Sequence, residues 1–248
     1  MVLLLDAYHL GDPLFLTGLA RDLAARGGES QAGGPQAGGP QTGGPLTGGA
    51  VLVHGSGERG ERALESLGVM PTAEDGAWTT ATDEEAAAVE RATRALGREI
   101  AHELNEAGVA AVRVVGADRG LLKLSEGGVA AGKTAWLRTL MDQGVVAVVA
   151  SLVAPAGGGG AGTALVEVDP AAAVRALAAV LEETAVVLLK KGIPSVQEPV
   201  SISNPAIRTA LGDAPGAGRI VASGVAATAV QRAALRQPGA PEGVEVGP

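Results

Sequence analysis

A complete strand–helix–strand unit occupies residues 165–189, with the sequence LVEVDPAAAVRALAAVLEETAVVLL. Two short apolar runs open and close the segment, and each has the length of a buried strand. Between them, Asp169 is a suitable N-cap and Pro170 a suitable first residue for an alanine-rich helix. This order predicts two parallel strands in one sheet, with the helix packed on its face.

The same alternation extends over most of the chain. It predicts strands at 2–5, 51–54, 111–115, 145–150, 164–168 and 185–189, and helices at 14–26, 58–67, 83–107, 133–143 and 170–182. Asp83 is the predicted N-cap of the longest helix, and Gly108 marks its predicted end. We therefore expect an α/β protein, a three-layer αβα sandwich around a mainly parallel sheet.

The composition excludes several functional classes. The 248 residues include no Cys, which excludes disulfides, thiolate metal sites and cysteine nucleophiles. The net charge of −8 disfavours nucleic acid or an anionic membrane as a partner, because both require a basic face. The longest apolar stretch, residues 145–156, is too short to span a membrane. Residues 1–5 lead directly into Asp6 without a basic leader, so we expect a soluble, cytoplasmic protein.

Two segments are rich in Gly and Pro and offer little to bury. Residues 31–49 repeat the unit QAGGP with small variations, and this composition predicts a flexible insert between two elements. Residues 236–248 have a similar composition and are predicted to form a disordered tail.

Gly55, Ser56 and Gly57, here called the glycine turn, follow the predicted strand 51–54. Backbone N–H groups at such a strand-to-helix turn can bind a phosphate or a carboxylate, and a structural turn without a ligand is the alternative. The segment also fits the dinucleotide motif G-x-G-x-x-G, but about one match per chain is expected by chance at this Gly content. A nicotinamide site is not favoured, because no second strand ending in an acidic residue follows at the required distance.

A second phosphate-binding motif competes with the glycine turn. The segment from Gly127 to Thr134 matches the P-loop pattern G-x-x-x-x-G-K-[ST], for which chance predicts roughly 0.01 matches in this chain. A P-loop NTPase would use Lys133 on the phosphates and an acid such as Asp169 on magnesium, whereas a surface turn would leave Lys133 solvated. His54 and His102 lack partners at metal-binding spacing, so no metal site is predicted.

Taken in order, several segments resemble the amino acid kinase family, and within it the acetylglutamate kinase type. They are VLVHGSG (51–57), the long helix after Thr82, VRVVGADRGLLKL (112–124), the strand–helix–strand unit at 165–189, and Gly192 to Val196. The resemblance covers residues 2–230 apart from the insert at 31–49. It implies the carbamate-kinase-like fold, with an acylamino-acid-binding half at 1–160 and a nucleotide-binding half at 161–235.

The resemblance also implies an activity and a set of site residues. The family transfers the γ-phosphate of ATP, with Mg²⁺, to the carboxylate of an N-acylated amino acid in arginine or lysine biosynthesis. The implied ligand is a small anionic amino acid, and the implied assembly is a homo-oligomer or a hetero-oligomer with an active paralogue. The implied roles are catalysis by Asp169, substrate binding by Gly55, Ser56 and Gly57, and nucleotide binding by Lys190, Lys191, Gly192 and Ser195.

The sequence departs from the family pattern at its cationic positions. Leu5 stands where the family has the lysine of Lys-x-Gly-Gly, and Ala222 or Ser223 stands at the second lysine. Leu165 and Glu167 replace two asparagines that precede the family's aspartate. Because phosphoryl transfer depends on cations that stabilise the developing negative charge, we expect little or no catalytic activity.

An active kinase with displaced cations is the alternative to this expectation. The chain contains four lysines, Lys123, Lys133, Lys190 and Lys191. Lys190 and Lys191 precede the nucleotide-side loop and could supply positive charge from a new direction.

Overall fold

The computed structural model describes residues 2–5, 10, 16–20, 23, 49–74, 77–156 and 163–182, together with the backbone of residues 185–189, 219–222 and 244–245. Its longer helices are α1 (Glu58–Ser66), α2 (Asp83–Glu106), α3 (Ala135–Asp142) and α4 (Pro170–Leu181); a short 3-10 helix spans Asp118–Gly120, and residues 16–20, within the helix predicted at 14–26, are also helical. Its strands are β1 (Val2–Leu5), β2 (Val51–His54), β3 (Ala73–Glu74), β4 (Ala77–Trp78), β5 (Ala111–Val115), β6 (Leu122–Ser125), β7 (Gly128–Ala131), β8 (Val146–Ala150), β9 (Leu152–Val153), β10 (Val166–Glu167), β11 (Ala185–Leu189), β12 (Arg219–Ala222) and β13 (Val244–Glu245).

One mainly parallel sheet forms the centre of the described fold. Its strand order is β13-β12-β11-β1-β2-β8-β5, and every neighbouring pair is parallel except β12 and β13. The strands predicted at 2–5, 51–54, 111–115 and 185–189 are confirmed with the same bounds, and the strand at 145–150 is confirmed as β8. The predicted α/β class and parallel sheet are therefore confirmed.

Apolar side chains on both faces of the sheet produce the three layers. In β1, Val2 and Leu4 belong to the cluster that includes residues of α3 and α4, whereas Leu3 and Leu5 belong to the cluster that includes residues of α2. Because successive side chains of a strand point to opposite faces, a strand covered on both sides must be apolar throughout. None of the described helices is both long and apolar enough to cross a membrane.

The helix ends show where the sequence rules succeed and where one fails. Asp169 caps α4 as predicted, with its carboxylate oxygens accepting from the N–H groups of Ala171 (2.9 Å) and Ala172 (3.1 Å). Gly108 follows α2 with a φ of 82°. The predicted N-cap Asp83 is wrong: Thr82 caps α2 by accepting from the N–H of Glu85, so Asp83 is the first helical residue.

Short antiparallel elements account for the remaining differences from prediction. The segment 164–168 was expected in the main sheet, but only Val166–Glu167 is a strand, and it pairs antiparallel with β9. The hairpins β3–β4 and β6–β7 are likewise separate two-stranded sheets. Residues 31–48 lie outside the described part of the chain, as does 236–248 except for β13. The boundary near residue 160 stays a prediction.

Candidate functional site

The glycine turn lies at the carboxyl edge of the central sheet, where ligands of open α/β sheets bind. It follows β2 directly and leads into α1, whose N-cap is Gly57. In the strand register His54 pairs with Leu5 at the end of β1 and with Ala150 at the end of β8. The turn therefore lies beside the ends of two neighbouring parallel strands, as its proposed role requires.

Glycine is required at the turn because the surrounding atoms are close. Gly57 has φ 54° and ψ −143°, a conformation that residues with a side chain rarely adopt. A Cβ atom on Gly55 would lie 2.6 Å from the Oε1 atom of Glu167. A Cβ atom on Gly60 would lie 2.6 Å from the Cδ1 atom of Trp78. These three glycines let the turn, the indole and the Glu167 carboxylate approach one another.

The carboxylate of Glu167 occupies the polar side of the turn. Its Oε1 atom accepts a hydrogen bond from the backbone N–H of Ser56, and its Oε2 atom accepts one from the Ser56 hydroxyl at 2.8 Å. The Trp78 backbone also hydrogen-bonds this carboxylate. The turn thus binds an anion, as its sequence suggests, but this anion belongs to the chain itself.

The environment of Glu167 disfavours its negative charge. Burial raises the pKa of Glu167 from 4.5 to about 7, and the hydrogen bonds from Ser56 and Trp78 offset part of this rise by stabilising the charged form. A carboxyl group with a pKa near neutrality can exchange a proton close to physiological pH.

The backbone around Glu167 joins three strands. The N–H of Ser151, after β8, donates to the carbonyl of His54 at 2.9 Å, and the N–H of Val168 donates to the carbonyl of Ser151 at 2.9 Å. This chain of hydrogen bonds places β10 beside the ends of β2 and β8. Glu167 therefore reaches the turn although it lies 111 positions from Ser56 in the sequence.

The hairpin β3–β4 also reaches the turn. The indole Nε1 of Trp78 donates to the carbonyl of Gly57 at 3.1 Å. Sequence reasoning did not assign Trp78 to the site, and it noted Glu167 only as the replacement for an asparagine of the family motif. One sequence feature could have pointed to Glu167: it stands between two valines in an otherwise apolar segment. An unpaired charge is costly to bury there, so a hydrogen-bonding partner was to be expected.

His54 packs beneath the turn as an uncharged side chain. It is fully buried, and its Nδ1 atom lies 2.9 Å from the carbonyl oxygen of Gly55, so Nδ1–H is the assigned donor. Burial lowers the pKa of His54 to about 4. Gly97 of α2 leaves room for the ring, since a Cβ there would lie 2.9 Å from Nε2.

The other predicted site residues have different outcomes. Asp169 lies two positions after Glu167 and uses both carboxylate oxygens in the cap of α4, while its catalytic role stays a prediction. Lys190, Lys191, Gly192 and Ser195 lie outside the described residues. Within the described part of the chain, no group of three or more His, Asp or Glu side chains could hold a metal ion, so no step is assigned to Mg²⁺.

The P-loop hypothesis for Gly127 to Thr134 is wrong. Residues 128–131 are strand β7, which pairs antiparallel with β6 in the register Ser125 to Gly128 and Leu122 to Ala131. A P-loop must wrap its backbone N–H groups around phosphate between a strand and a helix, and an extended hairpin strand cannot do so. Lys133 follows this hairpin and is exposed.

Comparison with known proteins places the fold. No family model and no curated protein matches the sequence. Among solved structures, smu.665 from Streptococcus mutans UA159 matches with a TM-score of 0.62 at 14% identity, over 90% of this chain and 93% of that chain. An isopentenyl phosphate kinase matches with a TM-score of 0.59 at 12% identity, over 95% of this chain and 96% of that chain.

N-acetylglutamate synthase from Neisseria gonorrhoeae, complexed with coenzyme A and N-acetyl-glutamate, also matches. Its TM-score is 0.64 at 17% identity, and the match covers 97% of this chain but 57% of that chain. The chain thus spans little more than half the length of the synthase. These likenesses show that the chain has the amino acid kinase fold, which confirms the predicted three-layer architecture.

Proposed function

We propose that this chain is an acetylglutamate-kinase-like protein with little or no phosphotransferase activity. The fold supports a relation to kinases and synthases that act on small anionic molecules. The resemblance of the ordered sequence segments narrows this to the acetylglutamate kinase type. The proposed ligand is a small anionic amino acid at the glycine turn, and the proposed assembly is a homo-oligomer or a hetero-oligomer with an active paralogue.

The observation that carries the proposal is the residue at the carboxyl end of β1. Leu5 is fully buried and pairs in register with His54, next to the glycine turn. The family resemblance implies a lysine at this position, where its ammonium group would face the transferred phosphoryl group. A buried leucine cannot supply that charge.

The negative charge of Glu167 should lower the rate of phosphoryl transfer, as the loss of the lysine does. Phosphoryl transfer spreads negative charge over oxygens that cations must stabilise, and a carboxylate beside them repels that charge. Removing one charge-stabilising donor commonly costs roughly 3–4 kcal/mol of transition-state stabilisation. Loss of a donor together with gain of an anion should therefore reduce the rate by well over ~1000-fold.

Direct assay of phosphoryl transfer tests the proposal. Purified chain would be incubated with ATP, Mg²⁺ and N-acetylglutamate, with ADP release followed by a coupled assay and acyl phosphate trapped by hydroxylamine. We expect no product above the protein-free blank. Turnover on the order of 10 s⁻¹, a typical enzyme rate, would overturn the proposal.

A lysine panel identifies the source of any activity that is found. The alternative kinase with displaced cations requires Lys190 or Lys191, so Lys190→Ala or Lys191→Ala would abolish its turnover. Lys123→Ala is the matched control, because Lys123 is an exposed lysine on β6. Activity unaffected by either test variant would exclude the displaced-cation mechanism.

A further inference from the structure

We infer that Glu167 is an internal ligand of the glycine turn, which it occupies in place of an external carboxylate or phosphate. An external anion then binds the turn only after the Glu167 side chain has left it. The inference rests on the proposed function, which places the ligand at the glycine turn. It adds that the Glu167 side chain regulates whether an anion can bind there.

The two hydrogen-bond donors of Ser56 in the turn are already used. A carboxylate or phosphate bound at a glycine-rich turn needs the backbone N–H groups and any nearby hydroxyl as donors. Here the N–H and the hydroxyl of Ser56 both donate to Glu167. An incoming anion that uses the Ser56 donors must therefore exchange with Glu167.

The space between Gly55 and the Glu167 side chain is also filled. A Cβ built on Gly55 would lie 2.6 Å from Oε1 of Glu167 and 3.0 Å from Cγ of Pro170. Even one additional carbon atom would therefore contact the carboxylate. A phosphate group is larger than a methyl group, so it cannot share this space with the Glu167 side chain.

Charge further disfavours simultaneous occupation. Two anions brought into hydrogen-bond contact with the same donors repel each other, and in a partly buried site one of them must be neutralised or leave. The influences on the Glu167 carboxyl are burial and the hydrogen bonds from Ser56 and Trp78, with no contribution from a cation among the described residues. Hence, among the described residues, no cation is bound to the Glu167 carboxylate itself to offset the repulsion.

The position of Glu167 allows its side chain to leave without disrupting the main sheet. It lies on the two-residue strand β10, whose partner is the two-residue strand β9 in a separate sheet. Rotation about the side-chain bonds of Glu167 breaks the contacts with Ser56 but leaves the backbone pairing of Glu167 with Leu152. The internal ligand can thus exchange while β1, β2 and β8 keep their pairing.

Anion binding to a charge-neutral variant tests the inference. Glu167→Gln keeps the length of the side chain and an oxygen acceptor for Ser56 but removes the negative charge. Isothermal titration calorimetry with inorganic phosphate, and separately with N-acetylglutamate, would compare this variant with wild type at pH 8. Glu84→Gln, which removes an exposed carboxylate from the first turn of α2, is the matched control for net charge.

We expect Glu167→Gln to bind at least one of the two anions ~10-fold or more tightly than wild type, while Glu84→Gln binds as wild type does. Equal binding by wild type, by Glu167→Gln and by Glu167→Ala, which removes the side chain from the turn altogether, would overturn the inference and leave Glu167 as a structural link between β10 and the turn. A gain for phosphate alone identifies a phosphate-selective site, and a gain for N-acetylglutamate identifies a carboxylate site.

A measurement on wild type keeps the inference testable if the variant fails to fold. The ¹H–¹⁵N resonance of the Ser56 amide would be followed by NMR during titration with phosphate. We expect no shift at millimolar phosphate, because Glu167 holds this N–H. A saturable shift would show an open turn and refute the inference. Neither experiment measures turnover. Kinase activity in wild type would therefore contradict the proposed function, but it would not show whether Glu167 or an external anion occupies the turn before ligand is added.

Discussion

Replacing Glu167 by Gln should remove one component of the pH dependence of folding stability. Burial raises the pKa of this carboxyl from 4.5 to about 7 in the folded protein. Between these values the folded chain holds a proton that the unfolded chain has released. The contribution of Glu167 to the free energy of unfolding is therefore fully present below pH 4.5 and is lost as the pH rises through about 7.

The magnitude follows from the difference between the two pKa values. Each pKa unit corresponds to about 1.4 kcal/mol, so the folded and unfolded values of 4.5 and about 7 set an upper bound of about 3 kcal/mol. Between pH 5 and pH 8 the linkage relation gives a loss of about 2–3 kcal/mol. This is a large fraction of the total stability of a typical domain.

The buried His54 produces an effect of opposite sign in an overlapping range. Burial lowers its pKa from 6.5 to about 4, so its contribution to stability is present above pH 6.5 and is lost as the pH falls through about 4. The two effects partly cancel in wild type between pH 4.5 and 6.5. The Gln variant retains His54, so its stability should rise with pH over this range while that of wild type changes less.

Urea unfolding followed by tryptophan fluorescence measures these differences. The free energy of unfolding would be determined at pH 5 and pH 8 for wild type, Glu167→Gln and the control Glu84→Gln. The free energy of unfolding of Glu167→Gln minus that of wild type should be about 2–3 kcal/mol larger at pH 8 than at pH 5. For the control Glu84→Gln this difference should be the same at both pH values. Parallel profiles within about 0.5 kcal/mol would refute the argument that the carboxylate is buried against the turn.

Three further changes test the site and its surroundings. Gly60→Ala should destabilise the fold by about 1–3 kcal/mol in urea unfolding, because its Cβ would collide with Oγ of Ser56 and lie 2.6 Å from Cδ1 of Trp78; a gain in stability, as in an open helix, would show that these two side chains are not held there. Asp169→Ala should cost about 1 kcal/mol through loss of the α4 cap, whereas Asp169→Asn should retain most of it, and equal losses would contradict the cap. Lys133→Ala should leave ATP binding in equilibrium dialysis unchanged, because residues 128–131 form a strand; reduced binding would restore the P-loop hypothesis.

The central sheet could be predicted because its signals are local. The first three residues of Val51–His54 and all of Val146–Ala150 are apolar, as expected for parallel strands covered on both faces, and both strands are fully buried. The start of α4 was equally clear, since an Asp followed by Pro satisfies two independent requirements of a helix N-terminus. Each of these predictions depends on fewer than about ten consecutive residues.

The composition of the site could not be predicted in the same way. β3, β4, β9 and β10 have two residues each, too few to show an alternating pattern. Glu167 meets Ser56 across 111 positions, and this contact depends on how β8, β9 and β10 follow one another in space. The sequence revealed an unusual glutamate and a turn suited to an anion, but the pairing of the two required the tertiary structure.

The raised pKa of Glu167 and the leucine at the end of β1 are two aspects of one electrostatic arrangement. A cation close to a carboxylate lowers its pKa, so a lysine ammonium facing the glycine turn would oppose the effect of burial. Among the described residues, only hydrogen bonds from Ser56 and Trp78 oppose it, and the pKa rises to about 7. In this part of the chain the turn therefore holds its anion through neutral donors. Such a site favours a ligand that is attached to the chain, because an attached carboxylate loses little translational freedom on binding and needs no cation to compensate that loss.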